Sequence, residues 1–166
     1  MKALIIEAPG AKRVGEWTTP SPAAGWVKVR VGATGICAGD MHIYKGSNPY
    51  ARYPAIAGHE IAGTVEEVGE GVVGLAPGEV VAVEPFIGCG RCYPCRVGRS
   101  NCCADLTILG VHRPGGFAEW VVAPAKNLHP VPPGLSLAWA AFAEPIAIAV
   151  QAARRGQLRS GEEALI

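Results

Sequence analysis

The chain has 166 residues, with 15 basic and 14 acidic side chains and a net charge of +1. That balance leaves no electrostatic footprint for nucleic acid or an anionic membrane surface. No apolar run reaches the roughly 18 residues needed to span a bilayer. A domain of this size buries roughly 70% of its unfolded-chain surface, so it does not depend on a disulfide framework. The apolar part of the N-terminal MKALIIEAPG is too short for a signal peptide. The expected compartment is the cytoplasm, where cysteines more often bind metal than pair.

Strands are expected in chain order at Lys2–Glu7, Trp26–Val31, Ile61–Val68, Val80–Val83, Phe117–Val122 and Leu128–Val131. In the second of these, Val27, Val29 and Val31 alternate with Trp26, Lys28 and Arg30, the period of a half-buried strand. A turn at Pro77-Gly78 separates the third and fourth. Short strands punctuated by glycine and proline point to a mainly β fold, a barrel or folded sheet. At Ser136 the pattern changes. Ser136 is a good N-cap for Leu137–Ala143, and Pro145 suits the first turn of a helix running to about Arg155. Arg154 and Arg155 complement that helix's negative end, and Gly156 suits the position beyond it. A new apolar strand is expected to start near Ala164. Two units result: residues 1–135, and residues 136–166 as connecting helices leading into a further domain.

Cys89, Cys92, Cys95 and Cys103 follow the spacing C-x2-C-x2-C-x7-C in a glycine-rich loop. Four thiolates suit the tetrahedral preference of a structural Zn²⁺, and the short gaps let one loop wrap the ion. Reduced or adventitiously oxidised cysteines are the plain alternative, but cysteines this dense make poor core filler. A two-knuckle ribbon would need a second C-x2-C after a long spacer, which disfavours a nucleic-acid module. Cys102 is read as a non-ligand beside Cys103.

Cys37 stands alone, Gly58-His59-Glu60 follows, and Glu144-Pro145 comes much later. Taken singly, a lone cysteine is more often a small core hydrophobe, and a lone histidine a surface residue. Thiolate, imidazole and carboxylate are nonetheless all zinc donors, and three protein ligands plus water make the open, catalytic pattern.

Gly58-His59-Glu60-Ile61-Ala62-Gly63-Thr64-Val65, with Gly69 and Val72 downstream, resembles the zinc signature of the medium-chain dehydrogenase/reductase superfamily. The cysteine loop has the spacing of that family's structural zinc lobe, and the order of the motifs is the family's own. The segments Tyr44–Pro49, Leu109–His112 and Pro124–Asn127 are most similar to threonine, sorbitol and sugar-acid dehydrogenases. The resemblance implies a GroES-like β-barrel with a zinc lobe and C-terminal helices. It implies two zinc ions, one at Cys89, Cys92, Cys95 and Cys103, the other at Cys37 and His59 with Glu60 or Glu144 as third ligand. Asp40 would orient His59. The implied chemistry is activation of a substrate hydroxyl by zinc and hydride transfer to NAD(P). The substrate would be a small alcohol, polyol, sugar acid or hydroxy amino acid, and the assembly a homo-oligomer.

Family members commonly carry Ser or Thr two residues after the zinc cysteine. Here that position is Gly39, so His42 or water would have to move the proton. His42, Tyr44 and Phe86 are candidate pocket residues. The family's α/β nucleotide-binding domain, with its G-x-G-x-x-G turn, is expected beyond residue 166, so NAD(P) is expected only in a longer enzyme. The alternative is a stand-alone zinc-binding remnant or partner-binding module, using the apolar face of Leu137–Val150.

Overall fold

The computed structural model describes residues 1–163. β1 (Lys2–Ala8) and β2 (Ala11–Glu16) form an antiparallel hairpin. β1 buries Ala3, Ile5 and Ile6. β2 is mostly exposed and has no apolar face, which is why the sequence pattern misses it: main-chain pairing with β1 makes it a strand.

β3 (Trp26–Thr34), β4 (Ile61–Val68), β5 (Val80–Val83), β8 (Trp120–Pro124) and β9 (Leu128–Pro130) build a five-stranded antiparallel sheet in the order β8-β3-β4-β5-β9. The alternating valines of β3 behave as expected: Val27 and Val29 are fully buried, and meet Ile61, Val65, Val81 and Val121 in the main core. Irregular register between β3 and β4 at Lys28/Val29 and Val31/Ala33 bends the sheet. β6 (Phe86–Ile87) and β7 (Thr107–Ile108) form a small ribbon that frames the cysteine loop, in which a short helix, α2 (Tyr93–Arg96), lies. Mainly β architecture was the expectation, and it holds.

Two expectations need correction, and one helix was not foreseen. The strand placed at Phe117–Val122 runs instead as β8, because the backbone at Phe117 is taken up by Leu4, whose N–H donates to its carbonyl at 2.8 Å. A helix, α1 (Ala38–Lys45), follows Cys37 and was not expected. Ser136 does cap the next helix, accepting from the Trp139 N–H at 3.3 Å, but α3 is only Leu137–Ala141. Gly156 caps α4 (Ala143–Arg155) as expected, staying right-handed at φ −72°, and Gln157 takes the left-handed position at φ 54°.

α3 sits on the sheet, with Ala140 and Ala141 packed against Ala62. α4 buries no residue, and Phe142, Ile146 and Val150 are exposed along it. Among the described residues no helix is long and apolar enough to cross a membrane. The strand expected from Ala164 lies outside the described residues.

Candidate metal centres

The cysteine loop brings the thiols of Cys89, Cys92, Cys95 and Cys103 within 4.8 Å of one another. Their support is mostly main chain. Cys103 Sγ accepts from the N–H groups of Cys89 at 3.2 Å and Asp105 at 3.3 Å. The N–H groups of Arg91 and Cys92 hold the Cys89 thiol down to about 6, and those of Ala104 and Cys95 lower Cys92. Partial burial pushes Cys95 the other way, to about 11. N–H donors aimed at sulfur favour thiolates, the form that binds metal. Four sulfurs around a tetrahedral Zn²⁺ at roughly 2.3 Å stand about 3.8 Å apart. Cys92 and Cys103 Sγ stand 3.8 Å apart. The donor set therefore fits the ion. Cys102 is exposed and turned away, its sulfur 3.5 Å from Asn101 Nδ2.

The second group is assembled from distant segments. Cys37, His59 and Glu60 bring one donor atom each within 4.8 Å of one another. Cys37 is the N-cap residue of α1, and Asp40, at the third helical position, reaches back to the Cys37 N–H at 2.9 Å, half of a capping box. That same carboxylate accepts from the Gly58 N–H at 2.9 Å and lies 3.4 Å from His59 Nδ1. His59 Nδ1 has no partner meeting hydrogen-bond geometry, so this last contact is one of charge. Asp40 is 3% exposed. Burial alone would raise its carboxyl, but His59 and the two N–H donors outweigh burial and hold it below the usual range. The carboxylate in turn raises His59 to about 9.

Two glycines make this convergence possible. Gly58 has φ +92°, a conformation that side chains resist, and a Cβ there would meet Phe117 Cδ1 at 2.8 Å. A Cβ on Gly35 would fall on the Glu60 carboxylate. Gly110 and Gly115 also close on the Gly58 main chain, leaving no space for side chains, an arrangement whose sole trace in the sequence is the glycines themselves. The Asp three residues after Cys37 was the legible sign of α1, since that spacing is half of a capping signature.

Glu144, near the start of α4, stands outside the 4.8 Å group but within electrostatic reach of it. Burial raises its carboxyl, His59 opposes that rise, and Glu60 adds to it. Glu144 and Phe86 line one cavity, of about 630 Å³, between β5–β6 and α4. His42 is exposed, with Nδ1 2.8 Å from Ser47 Oγ. Tyr44 lines a different cavity and donates to the Gly10 carbonyl at 2.9 Å, with Lys12 over its ring. At Gly39 a Cβ would meet His59 Cε1 at 3.5 Å and Cys37 Sγ at 3.9 Å, ordinary contacts, so the missing hydroxyl is not excluded by space.

Residues 23–133 match the profile of the alcohol dehydrogenase GroES-like domain. The chain belongs to this family. The chain is 44% identical over 166 residues to the starvation-sensing protein RspB of Escherichia coli K12, covering 100% of this chain and 49% of that protein. It is 35% identical over 166 residues to L-galactonate-5-dehydrogenase of the same organism, covering 100% and 48%. A crystal structure of an alcohol dehydrogenase, rspB, from E. coli CFT073 in complex with NADH superimposes with a TM-score of 0.89 at 44% identity, covering 95% of this chain and 46% of that one. A zinc-type alcohol dehydrogenase-like protein and L-threonine 3-dehydrogenases are among the other relatives. The chain thus spans about half the length of the curated relatives it matches.

One G-x-G-x-x-G run does occur, at Gly69, Gly71 and Gly74. It connects the antiparallel neighbours β4 and β5 and opens no helix, so it lacks the helix N-terminus that grips a pyrophosphate.

Proposed function

We propose that this domain is the zinc-holding catalytic part of an NAD(P)-linked dehydrogenase that oxidises a small alcohol, polyol, sugar acid or hydroxy amino acid. The observation that carries the reading is the meeting of Cys37, His59 and Glu60 within 4.8 Å, beside a cavity holding Glu144. Thiolate, imidazole and carboxylate, with room left for one more ligand, are the donor set of a catalytic rather than a structural zinc. The galactonate dehydrogenase and the NADH-bound relative support the reaction class.

Cys37 and His59 would hold the ion, with Glu60 or Glu144 as third donor. When bound, zinc supplies Lewis acidity that lowers the pKa of a substrate hydroxyl. Asp40 stands at His59 Nδ1 and so leaves Nε2 as the nitrogen available to a metal. With Gly39 offering no hydroxyl and His42 held by Ser47, water carries the substrate proton away. NAD(P) is the proposed hydride acceptor, assigned to a nucleotide-binding domain of the longer enzyme.

Metal analysis tests the reading. The purified chain should carry two zinc ions. Cys37→Ala and His59→Ala should each lose one and keep the other. A single zinc that survives both substitutions sinks the proposal.

A further inference from the structure

β5 ends at Val83, and the chain turns through Glu84 and Pro85 into β6, which leads through Gly88 to Cys89. At such a corner the ladder between strands stops, and buried carbonyls need other donors. The Pro85 carbonyl accepts from the N–H of buried Leu109 at 3.1 Å. The carbonyls on either side are taken by one side chain. Asn127 Nδ2 donates to the Glu84 carbonyl at 3.0 Å and to the Phe86 carbonyl at 2.9 Å. The Asn127 carbonyl in turn accepts from the Glu84 N–H at 2.8 Å. Asn127 ends a short helical turn, Ala125–Asn127, between β8 and β9. It is 2% exposed and, with Asp40, makes up the buried polar side chains among the described residues. Asp40 supports the second centre; Asn127 faces the corner that leads to the first.

Both partners of this side chain are acceptors, so the atom between them must be a nitrogen carrying two hydrogens. A carboxylate or an alkyl group supplies neither, and would leave two carbonyls at the corner without donors. β6 and β7 frame the cysteine loop, and a Cβ on Gly88 would lie 3.2 Å from Cys95 Sγ. The path of the chain through Glu84–Ile87 therefore fixes where Cys89 enters the group of four thiols. We propose that Asn127 is a positioning residue for the cysteine lobe: its two donated bonds hold the corner from which the lobe hangs, and so raise the lobe's affinity for zinc. The lobe's zinc is part of the proposed function, on which this assignment rests. The loop still supplies every donor, so without the Asn127 amide the ion is held more weakly and not lost. What Asn127 contributes is preorganisation of the ligands before the ion arrives.

Cobalt(II) in place of zinc is the probe. Four thiolates give stronger sulfur-to-metal absorption than one, so a competition titration of the whole chain with a chelator reads both centres at once. Asn127→Asp keeps the shape and removes both donor hydrogens. Asn127→Ala removes them without burying a charge, and carries the measurement if the first variant does not fold. Each should weaken the lobe about tenfold, within what two lost hydrogen bonds supply. The second centre should be unchanged. Unaltered lobe affinity in either folded variant would overturn the proposal, and an effect of Asn127→Ala without one of Asn127→Asp would mark lost packing instead. Equal weakening of both centres would also overturn it, as the sign of a general loss of stability. A parent lobe that takes up no cobalt overturns the zinc reading and this one together. A loaded lobe indifferent to Asn127 overturns this one alone.

Discussion

The two groups of candidate metal ligands are built on opposite plans. The lobe draws its four thiols from one loop, residues 89–103, and its thiols are supported by main-chain N–H groups of the same loop. The second centre draws on the start of α1, the segment before β4 and, at its edge, α4. Its support is a buried carboxylate, Asp40, and a set of glycine backbones in close contact. A closed local site can hold an ion without the rest of the fold. A dispersed site depends on the sheet, the helix and the glycine contacts together.

The largest effect expected is at the lobe. Cys103→Ser should abolish its zinc, and Cys102→Ser should retain it, by metal analysis of the purified proteins. Since structural zinc contributes directly to folding, on the order of several kcal/mol, the first variant should also melt well below the parent. The reverse result would mean that the ligand assignment is wrong. Gly58→Ala comes next. It touches no ligand, yet it forces a Cβ into a left-handed position and against Phe117, and should cost about 1–3 kcal/mol in denaturant unfolding. It should weaken the second metal and spare the lobe; loss of both together would erase the distinction drawn here.

Asp40→Asn sharpens the comparison further. The shape is kept but the charge beside His59 is lost, so metal affinity at the second centre should fall about 10–100-fold, with the lobe unaffected. The smallest effect is on pH. His59 without metal holds its proton up to about 9, a raised value, so a metal must displace that proton at neutral pH. Affinity at the second centre should therefore rise with pH, by at most about tenfold per unit, and level off above about 9. Competition titrations with a chelator across this range would read it, and a flat profile would rule out His59 as a ligand.

Much of this was open to inspection before any coordinates. The four-cysteine spacing is local, so residue types and gaps alone specify a metal loop, and the alternating valines of β3 specify a buried face. Ser136 could be read as a cap because its partner lies three residues away. The family motif named Cys37 and His59 together with Glu60 or Glu144, but nothing in their spacing says that a thiol, an imidazole and a carboxylate from separate segments meet. Helix α1 escaped because Ile43 is its one buried apolar residue, and β2 because main-chain pairing, which leaves no mark in side-chain pattern, makes it a strand. Only the tertiary structure could stack Gly110 and Gly115 on Gly58, place Asp40 between two N–H donors and His59, and gather Glu84, His129 and Glu144 around one cavity. Local chemistry is written in neighbouring residues. Contacts between distant segments depend on how the sheet and helices close, and a single sequence records those only as isolated glycines and acids.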